Sequence, residues 1–172
     1  IPYQQFEFIK KLKMTKKEIK DELKDIEGQP EVRQKIRQKQ RDLAQQRMLE
    51  EVPTADVVIT NPQHFAIALL YDVSKDEAPK VVAKGKNLMA KRIRERAQDA
   101  EVEIFEAPLL ARALYFTTEV GGFIPPGLFF AVAQVIAYVY NLNSLTPTME
   151  KPVKPKPKIP SELIFDELGQ QA

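Results

Sequence analysis

Val57-Val58-Ile59-Thr60-Asn61-Pro62-Gln63-His64-Phe65-Ala66-Ile67-Ala68-Leu69-Leu70 sets two short apolar runs on either side of four mostly polar residues. β-Branched residues before the interruption and a polar, proline-bearing four-residue stretch within it predict a strand over 56–60, a turn, and a second strand from His64 or Phe65 to Tyr71. Both runs are apolar at consecutive positions, which suits strands buried on two faces. Working outward, Asp72 to Pro79 reads as a polar loop and Lys80 to Ala83 as a short third strand, with Gly85 turning the chain into a helix from Asn87 to Ala100. Glu101 to Glu106 reads as a fourth strand, Leu109 to Glu119 as a helix closed by Gly121-Gly122, and Pro125 to Leu142 as a last helix, apolar on most sides. Strands alternating with helices predict an α/β domain over 53–142, a small, mainly four-stranded sheet surrounded by helices.

The interruption carries the chemistry. An asparagine amide can close a five-membered ring on a neighbouring carbonyl, and the residue after it decides how. In most Asn-X pairs the next N–H attacks the side chain and ammonia leaves. Proline has no N–H, so at Asn61 the remaining route is attack of Nδ2 on its own main-chain carbonyl, expelling the Pro62 nitrogen and breaking the chain. A residue before proline is driven towards extended geometry, and a tight turn holding amide and carbonyl together supplies effective concentration. His64, the only histidine in the chain, is placed to transfer a proton, to orient the reacting groups, or only to hold the turn by hydrogen bonding.

Four segments in order resemble the cytoplasmic domain of the flagellar and type III secretion export switch proteins, the FlhB/YscU family. They are Met14-Thr15-Lys16-Lys17-Glu18-Ile19-Lys20-Asp21-Glu22, the run Ala55 to Leu69 around Asn61-Pro62-Gln63-His64, Ala78-Pro79-Lys80-Val81-Val82-Ala83-Lys84-Gly85, and Glu106-Ala107-Pro108-Leu109-Leu110-Ala111-Arg112-Ala113-Leu114-Tyr115. The family carries an Asn-Pro-Thr-His motif that cleaves itself between Asn and Pro. Gln63 stands here in place of threonine, which leaves the nucleophile, leaving group and histidine present. The resemblance implies Asn61 as nucleophile, Pro62 as leaving group and His64 as the proton-transfer or orienting group of a single-turnover self-cleavage. It also implies a flagellar export component that switches selectivity from rod and hook to filament subunits. Its implied partners are export-gate membrane proteins, a hook or needle length-control protein and the exported substrates, and its implied location is the cytoplasmic side of a bacterial inner membrane, below a transmembrane domain of its own. The alternative is a non-cleaving docking domain of an injectisome export gate.

Composition bounds these readings. The chain of 172 residues has no cysteine and one histidine, which excludes disulfides and thiol catalysis and leaves no basis for a transition-metal site. No cofactor is expected, and no phosphate-binding glycine loop is present. The net charge of +2 conceals an uneven distribution, with 13 positive and 8 negative side chains over 1–49 but 9 and 12 over 50–142. No apolar run approaches the roughly 18–20 residues that span a bilayer. The opening Ile1-Pro2-Tyr3, Phe6, Phe8 and Ile9 before Lys10, Lys11 and Lys13 reads as the cytoplasmic edge of a membrane anchor. Thr15 and Glu18 form a capping box for one helix, Gly28-Gln29-Pro30 punctuates it, and a second, sparsely apolar helix runs from Pro30 to Glu50. The segment 1–52 therefore reads as a basic helical linker. With no aromatic residue between Lys10 and Glu50, it lacks a stacking platform for nucleic acid, although acidic lipid or phosphate remains chemically compatible with it.

From Asn143 the chain changes character. Pro147, Pro152, Pro155, Pro157 and Pro160 alternate with Lys151, Lys154, Lys156 and Lys158, predicting a disordered, flexible tail over 143–172. Its end, Ser161-Glu162-Leu163-Ile164-Phe165-Asp166-Glu167-Leu168, reads either as a short capped helix with a docking motif or as a random terminus.

Overall fold

The structure is a computed structural model that describes residues 18, 20, 21, 30–75, 77–144 and 152–171. It divides into two compact units, Ile1–Ala44 and Gln45–Ala172. The described residues of the first are helical, and the helix α1 (Pro30–Glu51), which begins there and runs into the second unit, has no buried residue, as its sparse apolar positions lead one to expect. The capping box at Thr15 and Glu18 lies largely outside the described residues. Among the described residues no helix is long and apolar enough to cross a membrane.

The second unit is built on one sheet. Its strands are β1 (Val57–Asn61), β2 (Phe65–Leu70), β3 (Lys80–Lys86) and β4 (Glu103–Glu106), in the order β3-β2-β1-β4. β1 runs antiparallel to β2 and parallel to β4, and β2 antiparallel to β3. The four-stranded α/β domain expected from the sequence is the one observed. Between and after the strands come α2 (Leu88–Asp99), α3 (Pro108–Thr117) and α4 (Phe129–Asn143), the last preceded by a 3-10 turn over Pro126–Leu128.

Side chains of a strand alternate between faces, and here both faces are covered. Val57, Ile59, Phe65, Ile67 and Leu69 enter one core with Leu110 and Leu114 of α3 and with α4. Val58, Ala66, Ala68 and Ala83 enter a second core with Ala90, Ile93 and Ala97 of α2. β2 thus sends Phe65, Ile67 and Leu69 to one side and Ala66 and Ala68 to the other, so α2 can approach the backbone closely. Met48 and Leu49 at the end of α1 also pack on that second core, and they lie within the second compact unit, Gln45–Ala172.

One local expectation is corrected. The third strand does not stop before Gly85; it continues to Lys86, with Gly85 buried opposite Ala66. A Cβ on Gly85 would lie 2.6 Å from Met89 Cγ and 2.9 Å from the Met89 backbone, so the glycine serves helix approach, and the turn is made by Asn87 at φ 50°. The tail adds a separate finding. Residues 152–171 are extended, as proline and lysine imply, yet they do not hang free. Ile159, Leu163 and Phe165 pack against the α3–α4 core, and Ser161–Leu163 forms a 3-10 turn instead of a helix. Apolar burial outweighs the chain freedom that the composition suggests.

Candidate self-cleavage site

β1 ends on Asn61 and β2 begins on Phe65, and these two residues are paired across the hairpin. The connection Pro62-Gln63-His64 therefore closes the two central strands of the sheet. The His64 N–H donates to the Asn61 carbonyl at 3.0 Å, and neither Pro62 nor Gln63 has a positive φ. That combination, with proline at the second position, is a type I turn. The His64 carbonyl in turn accepts from the Asn87 N–H at 2.8 Å, tying the turn to the end of β3. Thr60, just inside, is buried and its carbonyl accepts from Ala107 N–H at 3.0 Å. The turn is thus pinned on both sides by the sheet.

Asn61 is half-buried, Pro62 and Gln63 are exposed, and His64 is half-buried. The carbonyl that Asn61 Nδ2 would attack is the one whose oxygen the His64 N–H holds. A donor at this oxygen polarises the carbonyl and remains in place when negative charge develops on it. Beneath the turn the floor is aromatic: Phe65 meets Tyr115 at 4.8 Å and Phe116 at 5.7 Å between ring centroids. Lys86 Nζ lies 5.5 Å from the Phe65 ring centre.

One flank of the site comes from the far end of the chain. His64 Nε2 stands 3.8 Å from Glu167 Oε1, with side chains 42% and 57% exposed, and Lys86 Nζ donates to the Glu167 carbonyl at 3.2 Å. Beside it the Asp166 carboxylate accepts from the N–H groups of Leu168 and Gln170, each at 2.8 Å. The Gln170 hydrogen bond above all, then that of Leu168, with the Arg112 charge nearby, holds the Asp166 carboxyl below its usual value.

Asn61, Pro62 and His64 therefore occupy a single turn. The sequence reading missed the neighbours Asn87, Lys86, Phe65 and Glu167, which the fold delivers from three other segments. Only the acidic pair Asp166-Glu167 within an apolar stretch offered a signal for the last of these. Among the described residues no group of three or more His, Asp or Glu side chains gathers at one point to hold a metal.

Comparison with known proteins gives the lineage of the chain. The family model described as FlhB HrpN YscU SpaS Family matches residues 1–139. The chain belongs to that family. It is 54% identical over 141 residues to the flagellar biosynthetic protein FlhB of Salmonella typhimurium, covering 82% of this chain and 37% of that protein. To the flagellar biosynthetic protein FlhB of Bacillus subtilis it is 49% identical over 139 residues, covering 81% of this chain and 39% of that protein. It thus spans well under half the length of these FlhB relatives. The crystal structure of the cytoplasmic domain of FlhB from Shewanella putrefaciens superposes with a TM-score of 0.63 at 43% identity, over 73% of this chain and 98% of that one. An EscU C-terminal domain bearing an Asn-to-Asp mutation superposes at 0.52 with 29% identity, over 54% of this chain and 98% of that one.

Proposed function

We propose that this FlhB-family domain cuts its own backbone once, between Asn61 and Pro62, and that the cut changes which substrates a flagellar export apparatus accepts. The observation that carries the first part is the hydrogen bond from His64 N–H to the Asn61 carbonyl in a type I turn closed by β1 and β2. Asn61 Nδ2 forms a bond to its own carbonyl carbon, and the oxyanion so formed stays on the His64 N–H. The bond to the Pro62 nitrogen then breaks. One proton passes from Nδ2 to that nitrogen, with the His64 imidazole carrying it or orienting the groups. The products are a C-terminal succinimide on Asn61, which water later opens, and a new chain beginning at Pro62. Because the nucleophile is consumed, the reaction has one turnover.

Support for the biological part comes from the relatives. Similarity is greater to the flagellar FlhB proteins than to the solved EscU domain, which favours the flagellar over the injectisome setting. On this reading the domain lies on the cytoplasmic side of the inner membrane, below a transmembrane domain of its own. There it works with export-gate membrane proteins, a length-control protein and rod, hook and filament subunits.

The test is intact mass under denaturing conditions with N-terminal sequencing. Two species, the second beginning Pro62-Gln63-His64, are expected, and Asn61→Ala reduces them to one while leaving the domain folded. A single full-length species that persists for days at neutral pH removes self-cleavage and puts a non-cleaving docking domain in its place.

A further inference from the structure

The last residues of the chain form a closed loop beside the cleavage turn. Phe165 packs on Phe116 with ring centroids 5.6 Å apart, and Leu163 lies over Gly127, where an added Cβ would approach its Cδ1 to 2.8 Å. Gly169, at φ 88°, passes equally close to Phe116. The loop is tied by a bridge between Phe165 and Gln171, by Gln171 Nε2 donating to the Glu162 carbonyl at 2.9 Å, and by the two hydrogen bonds to the Asp166 carboxylate. Glu167 stands at its tip. Its carbonyl is held by Lys86 from β3, and its carboxylate faces Nε2 of His64.

We propose that Glu167 is a positioning residue for His64 in the Asn61-Pro62 cleavage, carried to the site by the docked C-terminal segment; this rests on the self-cleavage reading above. An imidazole that moves a proton must offer a lone pair on one nitrogen and keep N–H on the other. A carboxylate facing Nε2 favours the proton there and leaves Nδ1 as the base, as in other carboxylate–histidine pairs. At 3.8 Å the contact is an ion-pair separation and not a hydrogen bond. Two half-exposed side chains close that gap by a small rotamer change or through one water, and such contacts commonly tighten only as the reaction proceeds. The family model's match ends at residue 139, so the carboxylate lies outside the region that this model covers.

The experiment tracks cleavage from synthesis, by pulse labelling and denaturing gels, in the full chain and in Glu167→Gln and Glu167→Asp. Glu167→Gln is expected to slow the cut about fivefold, the most that a half-exposed pair supports, and Glu167→Asp to recover part of the loss. A second readout uses the chain's sole histidine. In an Asn61→Ala background, where the backbone stays whole, ¹⁵N–¹H spectra of the imidazole are expected to report the Nε2-protonated tautomer, and Glu167→Gln to shift both ring nitrogens. An unchanged or faster cut in Glu167→Gln, or a ring spectrum that does not respond, overturns the proposal while the wild-type cut keeps the self-cleavage reading intact. A wild-type chain that never cleaves overturns both.

Discussion

At the scale of one residue, the reaction proposed for Asn61 depends on what its neighbour lacks. With proline next, the succinimide route that begins from a backbone N–H is closed, and the exposed Pro62 is free to leave as a new N-terminus. Pro62→Ala restores the N–H and relaxes the preference of Asn61 for extended backbone. The cut is then expected to slow by about tenfold or more, with deamidation of Asn61 appearing in its place; mass spectra of the denatured protein separate the two products. Clean cleavage at the wild-type rate would contradict attack by Nδ2 on its own carbonyl. The proposed reacting half of this site can be picked out in sequence because Asn61, Pro62 and His64 fall within four consecutive residues. The supporting half cannot. Asn87, Lys86 and Glu167 reach the turn through strand register and tail docking, neither of which leaves a local mark in the sequence.

At the scale of elements, Gly85 shows where a local signal misleads. Glycine next to a polar residue reads as a turn, yet here it is buried in β3 against α2. The reason is a packing distance, and packing distances depend on residues far apart in the chain. Gly85→Ala would place a methyl 2.6 Å from Met89 Cγ and 2.9 Å from both Ile93 Cδ1 and the Met89 backbone. Met89 Cγ can swing away, but the backbone must shift. A loss of about 1–3 kcal/mol is expected, read as a lower denaturation midpoint with unchanged slope. A wild-type midpoint would mean that α2 is not seated as closely as the structure has it. The strands themselves were legible, since two-sided burial leaves continuous apolar runs in 57–59 and 65–70. The docked tail was not, because proline and lysine spacing dominates its composition while only Ile159, Leu163 and Phe165 do the anchoring.

At the scale of the whole molecule, the position of the proposed cut decides whether the two fragments would stay together. Cleavage after Asn61 assigns β1 to one fragment and β2, β3 and β4 to the other, and β1 lies inside the sheet with a partner on each side. Val57, Val58 and Ile59 are fully buried, and burying each such side chain contributes roughly 1.5–3 kcal/mol. Val52 adds a further fully buried side chain on the same fragment. Two ladders of backbone hydrogen bonds and several kilocalories of apolar burial therefore oppose separation, whereas the cut itself removes only one covalent link in an exposed turn. The halves are expected to elute together in native buffer, to unfold in a single transition, and to separate only in denaturant. Size-exclusion chromatography of the cleaved protein, with mass analysis of each peak, checks this. Fragments that part in native buffer would mean that cleavage dismantles the domain. Fragments that stay paired restrict the consequence of the cut to the turn, which is freed from its neighbour while the sheet beneath it remains whole.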